Sequence, residues 1–254
     1  MARPRIIYEN LWKKGIALTP SPAADSQHPL SDTQLNTLNM YFKASTAATP
    51  CTMPMDLKAG TRSINFIAIL GHNIESGATI TFEEADNSGF NSPTETPAFQ
   101  WSAKNIFEFL ATPLTEQYVR LKLVKAGGFA APPQVATILC GSYFELNRSE
   151  REGYGLGPED PSVVEEGDSG VAFVCEKPRM NVGNFPFVGI SDAVKVQILS
   201  FLDKVGISDA FVLCFNYADP NNESIWVRNS EAVIPRWGGQ ANNWIWELRV
   251  REVK

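Results

Sequence analysis

Histidine is nearly absent from this 254-residue chain, which holds His28 and His72 and no other. Cysteine stands at four, and Cys51, Cys140, Cys175 and Cys214 are widely spaced, with no Cys-x-x-Cys pair. A zinc centre needs thiolate or imidazole donors at close spacing, so these residues argue against a metal site. Positive charge is also thin. Lys and Arg total 22 against 28 Asp and Glu, the net charge is -6, and the densest basic groups are Lys13-Lys14 and the spaced Arg120, Lys122 and Lys125. Phosphate recognition needs a basic face, so nucleic acid is not an expected partner. No run approaches the ~20 apolar residues of a membrane-crossing helix, so no membrane partner is expected either. The opening MARPRIIYENLWKKGI lacks the apolar stretch of a signal peptide. Synthesis and folding in a cytoplasm, with reduced thiols, are therefore expected. Cys140 in TILCG and Cys214 in FVLCF read as small buried hydrophobes.

What the chain does have is turns and strands. Hydrophobic residues make up 44% and aromatics 11%, enough for a well-filled core, and Gly (18), Pro (17) and Phe (15) are plentiful. Short apolar runs alternate with Gly, Pro, Asn and Ser clusters, the pattern of a β-sandwich. Strands are expected near 52–57, 64–70, 78–84, 118–124 and 134–146, with IIYENLW as a possible first strand and Gly141 as a bulge or bend. YVRLKLV alternates Val119, Leu121 and Leu123 against Tyr118, Arg120 and Lys122, the period of a half-buried strand. Residues 19–36 form a Pro/Ser/Asp-rich loop too poor in apolar side chains to build a core of its own. Its length predicts a functional role, and ordering by contacts with other molecules is the expectation.

Core-forming residues thin out between Asn147 and Gly170, where a boundary is placed. The expected organisation is a sandwich over 1–150 and a smaller α+β domain over 151–254. The second part holds the clearest helix, 191–205. Ser191 is its N-cap, Val194, Ile198, Phe201, Leu202 and Val205 lie on one face, and Gly206 is the stop. Strands follow at 210–216, 225–228 and 243–251, with ADPNNES as a hairpin turn. In the last strand Trp244, Trp246, Leu248 and Val250 share one face, opposite Glu247, Arg249 and Arg251.

Three segments in order, Tyr41-Phe42-Lys43-Ala44-Ser45, Met55-Asp56-Leu57-Lys58 and Gly71-His72-Asn73, resemble the discoidin-like, galactose-binding-like jelly roll found in many bacteriophage tail proteins. In that module a Trp-Lys-Ala/Ser segment leads to an Asp-Leu-Gly strand end and then to an apolar strand closed by Gly-His-Asn. Here Tyr-Phe stands in place of Trp and Lys58 in place of Gly. The resemblance spans roughly the first 150 residues. It implies a mainly β fold: an N-terminal jelly roll followed by a smaller α+β domain with one amphipathic helix on an antiparallel sheet. It also implies a virion structural component of a phage or prophage tail, at the distal tip or baseplate. Such a subunit is assembled in the bacterial host cytoplasm and acts as a homo-oligomer with other tail proteins. The rival reading is a carbohydrate-binding module contacting a host-surface glycan.

Candidate chemistry is sparse. Gly167-Asp168-Ser169-Gly170 matches the nucleophile motif of trypsin-like proteases, but Ser169 needs an imidazole base and neither histidine has that context. No catalytic residue, cofactor or enzymatic activity is expected. His72 is expected to hydrogen-bond a neighbouring turn, and Asn73 suits a left-handed turn position. Glu159, Asp160, Glu165, Glu166 and Asp168 could approach a hard cation but lack calcium-loop spacing. The Asn147-Arg148-Ser149 and Asn222-Glu223-Ser224 triplets fit the glycosylation pattern without a secretory context. Of the tryptophans, Trp244 and Trp246 lie at strand period, while Trp12, Trp101, Trp226 and Trp237 are dispersed. Trp237-Gly238-Gly239 is the best sugar-stacking candidate.

Overall fold

The computed structural model describes residues 3–58, 60, 62–147, 155–160, 162–166, 172–177, 179–240 and 243–253. The fold is mainly β, built of antiparallel sheets with few helices. The chain packs into two compact units. One is Ile7–Phe144 with Cys214–Ser224; the other is Met1–Ile6, Glu145–Leu213 and Ile225–Lys254. Composition suggests one cut near residue 150. Packing additionally groups the first six residues with the C-terminal unit, and the 214–224 segment with the N-terminal one.

The N-terminal unit is a sandwich. Its four-stranded sheet runs in the order Phe42–Lys43, Gln134–Gly141, Ile64–His72, Asn105–Leu114. The five-stranded sheet runs Ile16–Ala17, Cys51–Asp56, Tyr118–Val124, Thr79–Ala85, Thr94–Glu95. Period-2 patterning accounts for the inner faces. Val119, Leu121 and Leu123 are all fully buried, opposite Glu84, Phe82 and Ile80 in register. Together with Met53, Met55, Ile67, Ile69, Ile138 and Cys140 they form one continuous core between the sheets. The Asn105–Leu114 strand was not expected from the sequence. Its run FEFLATPL carries Pro113 just before its end, which reads as a loop but is tolerated on the edge strand it occupies.

The expectation for residues 19–36 needs correction, because this segment is ordered by its own chain. Trp12, fully buried, donates its indole N–H to Thr33 Oγ1 at 2.9 Å, and Thr33 Oγ1 donates to the Leu30 carbonyl at 2.7 Å. The amide of Gln34 reaches the carbonyls of Trp12 (2.9 Å) and Gly15 (3.0 Å). Upstream, backbone bonds join Ser21 to Thr52, Asp25 to Lys43 and Ser45 to Ala23. The 3-10 turn Leu30–Gln34 thereby lays Leu30 into the core. IIYENLW is not one strand either. It forms the strand Arg5–Ile7 and then the short helix Leu11–Lys14, capped by Asn10. The same Asn10 side chain donates to the Ile138 carbonyl at 3.2 Å and accepts from the Cys140 amide at 3.3 Å.

In the C-terminal unit the sheet order is Arg5–Ile7, Ala210–Cys214, Ser224–Glu231, Trp244–Glu252, Met180–Ile190, Gly155–Glu159. The expected helix forms as Asp192–Val205. Ser191 Oγ accepts from the Val194 amide at 3.4 Å, and Gly206 ends it at φ 56°. Its buried residues Val194, Ile198, Phe201 and Val205 include the ring of Phe201, which meets Phe211 edge-on at 4.9 Å and Trp246 at 6.2 Å. Trp246, Leu248 and Val250 are buried as their spacing requires. The ADPNNES segment is more than a turn: Pro220–Glu223 is a helical turn.

Candidate functional site

The Gly71-His72-Asn73 motif is an organising turn of the sandwich. Gly71 has φ 60°, a left-handed geometry that suits glycine, and a Cβ there would sit 2.9 Å from the Ala136 Cβ. This corrects the expectation for Asn73, because the left-handed residue is Gly71. The Asn73 side chain instead accepts from the Gln134 amide (2.7 Å) and donates to the Pro132 carbonyl (3.0 Å). His72 Nδ1 accepts from the Ile74 amide at 3.1 Å, the turn bond expected of it. That bond assigns the ring proton to Nε2, near the Ser102 carbonyl but outside hydrogen-bond geometry. Desolvation pulls the His72 pKa down to about 4. The neighbouring Glu75 carboxylate takes the amides of Ala130 (2.6 Å) and Ala131 (3.4 Å) and pairs with Lys125. Trp101 donates to the Ile74 carbonyl at 2.8 Å. These groups are committed to loops, which is a structural role.

The other sequence candidates are similarly placed. Ser169 and Asp168 lie outside the described residues, as do the Glu165 and Glu166 side chains. Glu159 accepts from Arg251 at 3.1 Å, and Asp160 from Arg179 at 3.1 Å and the Ser162 amide at 3.0 Å. Among the described residues no group of three His, Cys, Asp or Glu could hold a metal ion. Cys51, Cys140 and Cys214 are buried and Cys175 is exposed, all as free thiols. Burial pushes Cys51 and Cys140 up to about 12, well away from thiolate chemistry. Trp12, Trp226 and Trp246 are core residues. Trp244 packs under the Lys195 ammonium at 4.3 Å and donates to Asp192 at 2.6 Å. Trp237 is 65% exposed, with its N–H on the Gln240 carbonyl at 3.0 Å.

The sequence analysis did not find a slot of about 420 Å³ between the two sheets at their open edge. One wall is Glu84 with Thr94–Pro97 and the other is Glu108–Thr112 with Leu114. Thr96 fixes the first wall by accepting from the Phe82 amide (3.0 Å) and donating its own amide to the Phe82 carbonyl (2.9 Å). The second wall is a bulged edge strand. Phe109 pairs with Phe66 and Leu114 with Ile64, so residues 110–113 have no register partner. The upstream half of that edge is covered, since Asn221 Oδ1 accepts the Phe107 amide at 2.7 Å and Asn221 Nδ2 reaches the Gln100 carbonyl at 3.1 Å.

Alternation puts a carboxylate inside the slot from each sheet. Glu84 is in register with Val119 on the inner face of one sheet, and Glu108 with Ile67 on the inner face of the other. Glu84 is buried and accepts the amides of Thr115 (2.7 Å) and Glu116 (2.8 Å), which holds the turn between two strands. Glu108 is half-buried. Desolvation raises its pKa, and the Gln100 backbone amide offsets part of that. Glu95, at the rim, accepts from Thr81 Oγ1 (2.6 Å) and Lys122 (3.3 Å), which lowers its pKa, the Thr81 bond most of all. Pro97, Leu110 and Leu114 supply apolar surface, and among the described residues no Lys, Arg or His lines the slot. A signal existed in the sequence at one wall: Glu84 continues the inward period of Ile80 and Phe82.

No family model and no curated protein matches this sequence. Among solved structures, the chain is similar to chitosan-binding module 1 of a chitosanase/glucanase from Paenibacillus sp. IK-5. The identity is 14% and the TM-score 0.43, over 53% of this chain and 100% of that one. It is also similar to the family 32 carbohydrate-binding module of C. perfringens NanJ, in complex with galactose (14%, 0.40, 56% and 99%). A Streptococcus pneumoniae fucose-binding module gives 15%, 0.41, 53% and 95%. These are likenesses of chain course.

Proposed function

We propose that the chain is a non-catalytic glycan-binding subunit whose sandwich unit takes a saccharide in the open-edge slot. The observation that carries this reading is the slot itself. It combines apolar surface from Pro97, Leu110 and Leu114 with inward carboxylates Glu84 and Glu108 and rim hydroxyls of Thr94 and Thr112. A sugar ring presents apolar C–H faces and a belt of hydroxyls, and carboxylates accept from hydroxyls strongly. Strand addition by a peptide fits less well, because the exposed edge is bulged at 110–113 and carries Pro113, which donates no N–H. Glycan-array binding of the full chain tests the reading. Leu110→Trp, which fills the slot without changing its charge, should abolish the signal while leaving thermal unfolding cooperative, and an array with no hits would refute the reading.

A second reading has its own observation in the C-terminal unit. Trp237 (65% exposed) and Ile234 (70% exposed) are large apolar side chains left in solvent. They suit a contact with other protein, as the resemblance to phage tail subunits implies. In that case the chain is a tail component at the distal tip or baseplate, working as a homo-oligomer with other tail proteins. Mass photometry of the purified chain tests this: a purely monomeric protein that Trp237→Ser leaves unchanged would count against it.

A further inference from the structure

Resting on the glycan reading of the same slot, we infer that its ligand is a cationic aminosugar, a saccharide carrying a free protonated amine. The slot's charge selects the occupant. Among the described residues three glutamates line it, from both sheets and the rim, and no basic side chain does. Two of the three are already committed. Glu84 is held by the amides of Thr115 and Glu116, and Glu95 by Thr81 and Lys122. Glu108 keeps more acceptor capacity, because among the described residues the Gln100 amide is the one group that reaches it, no cation pairs with it, and it sits half-buried on the inner face. A carboxylate in such a place is matched by a ligand ammonium, which restores the charge-assisted hydrogen bonds that desolvation removed. A neutral hydroxyl sugar leaves that charge uncompensated, and an acidic sugar meets like charge on both walls. The slot's volume of about 420 Å³ is in the range of small-ligand pockets, large enough for a saccharide unit and its flanking linkages. The bulge at 110–113 leaves the groove mouth without a hydrogen-bonding edge for a basic peptide strand.

Isothermal titration of the full chain tests this with three probes of equal length: a glucosamine tetramer, its fully N-acetylated counterpart and a neutral galactose oligomer. The expected result is binding of the glucosamine tetramer at least about tenfold tighter than the others, weakening as salt is raised. Glu108→Gln should erase that preference while leaving the melting temperature near that of the parent. Leu110→Trp, whose larger ring fills the slot without changing its charge, should weaken binding of every probe. Binding of the acetylated or galactose probe equal to that of the glucosamine tetramer would overturn the aminosugar inference and leave the glycan reading standing. Binding of none of the three, with an arginine-rich peptide bound instead, would overturn both.

Discussion

The indole N–H of Trp12 donates to Thr33 Oγ1 at 2.9 Å, both residues being fully buried. This bond ties the Pro/Ser-rich segment to the sandwich core and makes it part of the domain. Thr33→Val keeps the shape but leaves the indole donor unsatisfied, at a cost of about 1–3 kcal/mol. Denaturant unfolding should show that loss as a lower midpoint with an unchanged slope. A midpoint equal to that of the parent would mean that the segment is held elsewhere.

Lys58 stands where the resembling module has glycine, and its φ is 64°, in the left-handed region. Its amide donates to Asp56 Oδ1 at 2.7 Å, so the Asp-Leu-Lys turn keeps the glycine conformation without the glycine. Relief of that strain outweighs the added freedom of the unfolded chain, so Lys58→Gly should stabilise by up to about 1 kcal/mol. Differential scanning calorimetry would read this as a rise in melting temperature; a fall would mean that the lysine side chain contributes more than its backbone costs.

Gly141 closes its strand against the backbone of Glu9, whose carbonyl occupies the space a Cβ would need. Neither backbone segment can yield as a flexible side chain would. Gly141→Ala should cost about 3 kcal/mol or more. Thermal melting of the variant within a degree or two of the parent would contradict this close approach.

His72 sets a pH dependence. Its folded pKa lies near 4, below the ordinary histidine value, because burial disfavours the charged ring. Between about pH 6.5 and 4 the unfolded chain therefore binds the extra proton, and stability falls as pH falls through that window. The loss from this group should approach about 3 kcal/mol at the acid end. Subtracting the stability profile of His72→Gln from that of the parent isolates the term. A flat difference from pH 7 to 4 would show that the ring is solvated.

Much of the architecture was legible because burial imposes period 2. YVRLKLV has Val119, Leu121 and Leu123 inward, and the 191–205 helix has its cap at Ser191 and its stop at Gly206, where local chemistry demands them. The strands at Asn105–Leu114 and Met180–Ile190 were not legible. Pro113, Gly183, Pro186 and Gly189 interrupt their pattern, and pairing rather than propensity holds them. The slot was hidden for a related reason. Glu84 and Glu108 are 24 positions apart in the sequence and line one slot only because two different sheets pack face to face. The role of the 19–36 segment was misread because its few apolar residues, Leu30 above all, reach a core built by other strands.

Backbone-amide NMR of the full chain, titrated with a binding saccharide, tests the central claim most directly. Shift changes should concentrate at residues 84, 94–96, 108–112 and 114, on the walls of the open-edge slot. Changes centred on the His72–Glu75 turn or on Trp237, with the slot silent, would contradict the account.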